Sequence, residues 1–297
     1  MSQIATPRYD RSKLSAGIVH IGLGNFHRAH MAVYLDDLFN QGESHDWAII
    51  GAGVRAPDSR MRDALKGQDC LSTIIELDPQ GKTCRRVGAM IDFLPVAADN
   101  AQLIAAMSDP GIRIVSLTVT EGGYFVNPAT GQFDPTEAAI VADGQNPGQP
   151  ATAFGAIVAA LKARRAAGTA PFTVMSCDNL PGNGHVTHDA VVGLARLSDP
   201  ELADWIEANV AFPNGMVDRI TPATGPRERA MAASFGLGDD PVPVTCEPFR
   251  QWVVEDNFSN GRPALDVLLE APTDEDVVIR PAPHSNGART TWPLSRP

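Results

Sequence analysis

Gly17-Ile18-Val19-His20-Ile21-Gly22-Leu23-Gly24-Asn25-Phe26-His27-Arg28-Ala29-His30 is the stretch whose reading decides the fold. A short β-rich run ends at Gly22, and an amphipathic stretch from about Phe26 to Phe39 follows it, so the order is strand, turn, helix. A second β-rich run, Trp47 to Val54, comes after Gly42 and completes a βαβ unit, which implies parallel strands. In such a turn Gly22 permits the tight bend, and Gly24 lets backbone N–H groups approach a pyrophosphate at the helix N-terminus. The third position of the general G-x-G-x-x-G pattern is His27, so the short pattern by itself leaves a plain glycine turn as the alternative.

Further along, Leu71–Glu76 and Thr83–Val87 flank Asp78-Pro79-Gln80-Gly81, whose turn formers predict a β-hairpin inserted into the alternating pattern. Helix (about Asn100–Met107) and strand (Ile112–Val119) resume, Asn127–Pro150 reads as an irregular surface excursion, and an Ala-rich helix (Ala151–Ala167) leads to strand Phe172–Ser176. The polar loop Asp178–Gly184 comes directly after that strand, where an open α/β sheet carries its ligand groups, and helices Val186–Leu197 and Glu201–Asn209 follow. The expected fold is α/β, a Rossmann-like doubly wound, mostly parallel sheet with an inserted hairpin. Residues 1–263 form the dinucleotide-binding domain and 264–297 an irregular tail.

A net charge of −11 disfavours nucleic acid, which is bound through clustered Lys and Arg. Cys70, Cys84, Cys177 and Cys246 form no C-x-x-C pair and read as reduced thiols, with neither disulfides nor structural zinc. No apolar stretch reaches the roughly 18 residues of a membrane span, and the N-terminus lacks an apolar signal core, so a cytoplasmic protein with a small-molecule partner is expected. A ribose-binding acid belongs near the end of the second strand. Asp58 stands there, which favours NAD, but so does Arg55, which suits NADP, and Asp58 has a helix-capping role as its alternative.

The longer string Gly22-Leu23-Gly24-Asn25-Phe26-His27-Arg28-Ala29-His30 resembles the G-x-G-x-F-H-R-A-H signature of long-chain polyol dehydrogenases, the mannitol dehydrogenase family, which also holds sugar-acid reductases. Thr118–Tyr124, Ser176–Gly184, Phe212–Pro222 and Cys246–Asp256 resemble further family blocks in the family's order, over roughly residues 15–263. The resemblance implies metal-independent, NAD(P)-dependent interconversion of a mannitol-like polyol and a ketose. It adds Asn25, Phe26 and Thr120 to the cofactor set, makes Asn179 catalytic, and makes Val217 and Asp218 substrate contacts. Two alternatives stay open: Asn179 as a loop amide satisfying its own turn, and Asp218 as the ion partner of Arg219 or another basic residue.

The resemblance also implies a lysine base on a K-x-x-x-x-N-x-x-H helix of an all-helical second domain. The lysines here are Lys13, Lys66, Lys82 and Lys162, and no such string occurs. The helical domain is therefore expected to be largely absent, with 264–297 its remnant or frameshifted start, and the truncated chain inactive. The alternative is a dinucleotide-binding module, or a half-enzyme completed by a separately encoded helical domain. Exposed apolar surface and self-association are expected of such a fragment. His185 and His188 are substitute bases or, more simply, helix-surface residues. His27 and His30 make a poor ligand pair, and no metal is expected.

Overall fold

In the computed structural model, which describes residues 4–53, 55–269 and 277–281, the opening run becomes β1 (Ala16–Ile21), buried from Gly17 onward. Continuous burial is what a parallel strand covered on both faces requires. Helices α1 (Asn25–Ala29) and α2 (Met31–Asn40) replace the single helix expected over Phe26–Phe39, because His30, at φ −118° and ψ −95°, leaves the helical region between them. Next come β2 (Ala48–Ala52) and α3 (Asp58–Lys66); Val54, expected to end the second strand, lies outside the described residues.

The expected hairpin forms as β3 (Ser72–Asp78) and β4 (Gly81–Val87), antiparallel with Ser72 opposite Val87 and Asp78 opposite Gly81. The chain continues through β5 (Met90–Phe93), α4 (Ala101–Ser108), β6 (Ile114–Leu117), α5 (Ala138–Gln145), α6 (Ala153–Ala167), β7 (Thr173–Ser176), α7 (Asn183–Ser198) and α8 (Pro200–Asn209). Helix α5 corrects the irregular reading of 127–150. Its Asp143 accepts the Ala151 and Thr152 N–H groups at 2.8 and 3.0 Å, anchoring the excursion to the start of α6. Last come β8 (Gly215–Asp218), α9 (Pro226–Ser234), β9 (Val244–Cys246), β10 (Gln251–Asp256) and β11 (Val277–Pro281).

The central sheet runs β5-β2-β1-β6-β7 with every pairing parallel. Chain order reverses between β1 and β6, so the loops leaving these strands flank a crevice at the C-terminal edge, the usual ligand position of such sheets. Two apolar layers cover the sheet: Ile18 joins the one built with α2, while Val19 and Ile21 join the one built with α4, α6, α7 and α8. The hairpin lies in a separate sheet, β4-β3-β9, and a third sheet, β8-β10-β11, sits beside the crevice.

Packing and strand pairing continue past residue 263. Leu265 is buried within a 3-10 turn at Leu265–Leu269, and β11 pairs in parallel with β10; residues 282–297 lie outside the described ones. No described helix is long and apolar enough to cross a membrane. The large apolar side chains exposed among the described residues are Val141, Leu197 and Ile220, on α5, α7 and the loop after β8. Scattered single side chains of this kind are ordinary on a folded surface, so the patch expected to drive self-association is not seen there.

Candidate nucleotide and substrate site

The turn after β1 requires glycine at one position and leaves room at the other. Gly22 has φ +95°, and a Cβ there would sit 2.1 Å from the Thr118 carbonyl oxygen. A Cβ on Gly24 would meet nothing nearer than the Gly22 oxygen at 4.0 Å, so the space beside that backbone is open, as close approach of a phosphate demands. His27, standing where a third glycine is usual, is buried and stacks on His20 of β1 with ring centroids 3.4 Å apart and planes at 15°. Helix α1 thus meets β1 through paired imidazoles.

Hydrogen bonds decide the His20 tautomer. Thr118 Oγ1 donates to the Gly22 carbonyl at 2.5 Å, so it accepts from His20 Nε2 at 2.9 Å, and His20 Nδ1 accepts from Ser116 Oγ at 2.8 Å. Burial pushes His20 and His30 down to about 3, and His27 is held well below its ordinary value by burial and then by His20, so these rings are neutral packing groups. Among the described residues no cluster of His, Cys, Asp or Glu could hold a metal ion.

A cavity of about 730 Å³ in the crevice brings together Gly22, Gly24, Asn25, Phe26, Thr120, Asn179, Val217 and Asp218. Asp58 lines an adjoining cavity of about 470 Å³, which shares Gly22, Gly24 and Thr120 with the first. Its Oδ2 accepts the Arg55 N–H at 3.0 Å, with the Arg55 guanidinium 3.6 Å from Oδ1; this contact is ahead of α3, whose N-cap is Pro57. A Cβ on Gly53 would come within 2.3 Å of the Asp58 Cβ, so a side chain there would displace the acid. The Asn25 side chain is occupied by protein: Nδ2 donates to the Pro222 carbonyl at 2.8 Å and Oδ1 accepts from Arg28 Nη2 at 2.7 Å. Buried Arg28 also donates to the Val242 carbonyl at 2.5 Å, joining the glycine turn to the far wall of the cavity.

Asn179 is exposed at the cavity, and its amide makes no hydrogen bond among the described residues, so the self-satisfied loop amide is not observed. Asp218 forms no ion pair among them either. Its neighbour Arg219 is turned away, donating to the Ala29 carbonyl at 2.6 Å and pairing with Glu76 at 2.5 Å. Val217 is buried at the cavity wall. Cys177 lines the cavity as well, but burial pushes its thiol well above the ordinary range, which leaves little thiolate for nucleophilic chemistry. His185 and His188 do not line it; His185 Nε2 lies 3.3 Å from the Asn214 amide, and His188 pairs with Asp189.

Sequence reasoning missed the framework behind these groups. Asp178 accepts the Val119 N–H at 2.9 Å, the Thr120 N–H at 3.3 Å and the Tyr124 hydroxyl at 2.6 Å, binding the loop after β6 to the loop after β7. Burial raises the Asp178 pKa, with the bonds from Tyr124, Val119 and Thr120 opposing that shift. Asn183 donates to the Asp178 carbonyl at 3.1 Å and accepts the Gly215 N–H at 2.9 Å, which adds β8 to the assembly. The one available signal was that Asp178, Asn179 and Asn183 share a polar loop directly after a buried strand.

Comparison with known proteins agrees with this architecture. The family described as the mannitol dehydrogenase Rossmann domain matches residues 16–267. Mannitol 2-dehydrogenase of Cereibacter sphaeroides is 73% identical over 263 residues, covering 89% of this chain and 55% of that protein. The polyol:NADP oxidoreductase of Gluconobacter oxydans is 49% identical over 288 residues, covering 94% of this chain and 59% of that one. Among solved structures, the Pseudomonas fluorescens mannitol 2-dehydrogenase ternary complex with NAD and D-mannitol superposes with a TM-score of 0.87 at 48% identity, over 93% of this chain and 55% of that one. The chain thus spans little more than half the length of these relatives. With the glycine turn, the parallel sheet and the match over residues 16–267 in agreement, the chain belongs to the mannitol dehydrogenase family and carries its Rossmann domain.

Proposed function

We propose that this chain is the nucleotide-binding part of an NAD-dependent oxidoreductase that interconverts a mannitol-like polyol and a ketose by hydride transfer. The observation that carries the proposal is a single cavity at the β1/β6 switch, in which the open backbone at Gly24 faces the same space as Asn179, Val217 and Asp218. The nicotinamide supplies the hydride acceptor and donor. Gly22 and Gly24 admit the pyrophosphate, with Phe26 and Thr120 on the surrounding wall. Asp58 accepts from the ribose hydroxyls and repels a 2′-phosphate, so NAD is the cofactor and NADP the rival that Arg55 would favour. The Asn179 amide donates to the substrate oxygen as negative charge develops on it, Asp218 accepts from a neighbouring hydroxyl, and Val217 gives an apolar surface to the carbon chain. The net charge of −11 and the four buried free cysteines support a small-molecule partner and a reducing, cytoplasmic setting.

A second reading has its own observation: none of the four lysines lines either cavity. We infer that the proton acceptor comes from residues beyond those described, on a helical segment of the same chain or of a separate one, and that these 297 residues alone are a dinucleotide-binding module. Calorimetric titration with NADH and NADPH, beside assays of mannitol oxidation and fructose reduction, tests both readings. Binding of NADH without turnover is expected. Turnover by the 297-residue chain would refute the second reading, and failure to bind either nucleotide would refute the first.

A further inference from the structure

We propose that Asp178 is the positioning residue of this site: its carboxylate holds Thr120 in a strained backbone conformation and thereby sets the cavity rim facing Asn179. The proposal rests on reading the cavity as a nucleotide and polyol site. Thr120 has φ 65° and ψ 163°, a region populated essentially by glycine and costly for a β-branched residue. Such a conformation persists only where the surroundings impose it. Here the flanking amides, Val119 N–H at 2.9 Å and Thr120 N–H at 3.3 Å, both end on the Asp178 carboxylate. The Tyr124 hydroxyl, 2.6 Å from the same carboxylate, steadies it, and that hydroxyl is itself fixed by Ser176 Oγ at 2.6 Å. Gly123 N–H closes the turn onto the Thr120 carbonyl at 2.9 Å.

All three donors come from the loop after β6, whereas Asp178 belongs to the loop after β7, and its next residue, Asn179, lines the cavity. One side chain therefore sets the relative placement of the two loops that border the switch point. Asp178 makes no ion pair among the described residues, and its half-buried carboxylate is met there by these neutral donors, an arrangement that favours one geometry over others. The Asp178→Asn change keeps the shape but turns one acceptor oxygen into a donor. At least one amide then loses its acceptor, and Thr120 is free to relax to negative φ.

The test compares NADH binding by calorimetry, with thermal melting as the folding control, in the full chain and in Asp178→Asn, Tyr124→Phe, Asp178→Asn/Thr120→Gly and Tyr124→Phe/Thr120→Gly. Asp178→Asn should melt cooperatively and bind about tenfold or more weakly, the scale set by releasing one strained residue. Tyr124→Phe should lose less. Thr120→Gly should restore most of the loss in either background, because glycine adopts this conformation without strain, a rescue that a general packing role would not give. Unchanged affinity in Asp178→Asn, or no rescue by Thr120→Gly, overturns the proposal. Should Asp178→Asn fail to fold, Tyr124→Phe decides: a loss reversed by Thr120→Gly supports the proposal, and unchanged affinity overturns it. An unaltered chain that binds no NADH overturns the functional reading and this proposal together, whereas a binding parent with unaffected variants overturns this proposal only.

Discussion

Gly22 and Gly24 are neighbours in one turn, yet they answer to different demands, and substitution separates them. Gly22→Ala would put a methyl group 2.1 Å from the Thr118 carbonyl at a φ of +95°, so we expect a loss of several kcal/mol, read as a large fall in Tm. Gly24→Ala meets open space; Tm should move by no more than about 2 °C, while NADH affinity falls about tenfold because the methyl group occupies the phosphate's approach. Equal effects on both properties at both positions would refute the assignment. Asp58→Ser removes the carboxylate that Arg55 now contacts, and should raise NADPH affinity and lower NADH affinity, each about tenfold in titration. At this scale the strand–turn–helix pattern located the two glycines, and the polar loop after a buried strand located Asn179 at the crevice, while the chemical role of Asn179 rests on the family resemblance. The sequence was silent on Asp178, because the contact that gives Asp178 its meaning spans 59 residues and depends on a backbone conformation at Thr120 that no pattern announces.

The joint between β1 and α1 is a stack of neutral rings, and that makes its stability depend on pH. His20 and His30 are depressed to about 3 and His27 lies well below its ordinary value, all chiefly through burial, whereas in the unfolded chain each takes up a proton near pH 6.5. Folded values below unfolded ones mean that their contribution is complete above about pH 6.5 and is lost as the pH falls toward 3, at about 1.4 kcal/mol per histidine per pH unit. The raised Asp178 pulls the other way. Both ring nitrogens of His27 are buried without a hydrogen-bond partner, so His27→Phe should keep the stack, remove one titrating group and make the acid limb shallower. Urea denaturation at pH 7 and pH 5 measures this; an unchanged difference between the two would show that His27 does not contribute. Strand and helix order was legible because apolar periodicity is local, and the hairpin because Asp78-Pro79-Gln80-Gly81 names its own turn. The break at His30 was not, since the ring leaves the helix to pack against Phe26 and Trp252 and to reach the Gln251 carbonyl at 2.8 Å, and Gln251 and Trp252 are remote in sequence.

For the molecule as a whole, the arrangement of sheets gathers at one crevice the groups that the proposed reading assigns to binding. The parallel sheet delivers the glycine turn and the Thr120 and Asn179 loops to one crevice, and the β8-β10-β11 sheet brings Val217 and Asp218 to its side. In the proposed reading these groups hold a nucleotide and orient an alcohol, and oxidation also needs an acceptor for the hydroxyl proton. Of the groups in the lining, Cys177 is raised by burial, Asp178 is committed to three donors, no lysine is present, and the proposed reading gives Asp218 to a substrate hydroxyl. The 297-residue chain should therefore bind one NADH, give no detectable mannitol oxidation or fructose reduction, and gain both activities when the family's helical domain is added as a separate chain. Activity that rises with the added domain and saturates would show that the crevice is a competent half of the site. Binding that stays silent at every ratio would mean that the Asn179 and Asp218 geometry does not orient substrate, and activity in the 297-residue chain alone would place the proton acceptor among groups already at the cavity, with Asp218 the first to test by Asp218→Asn.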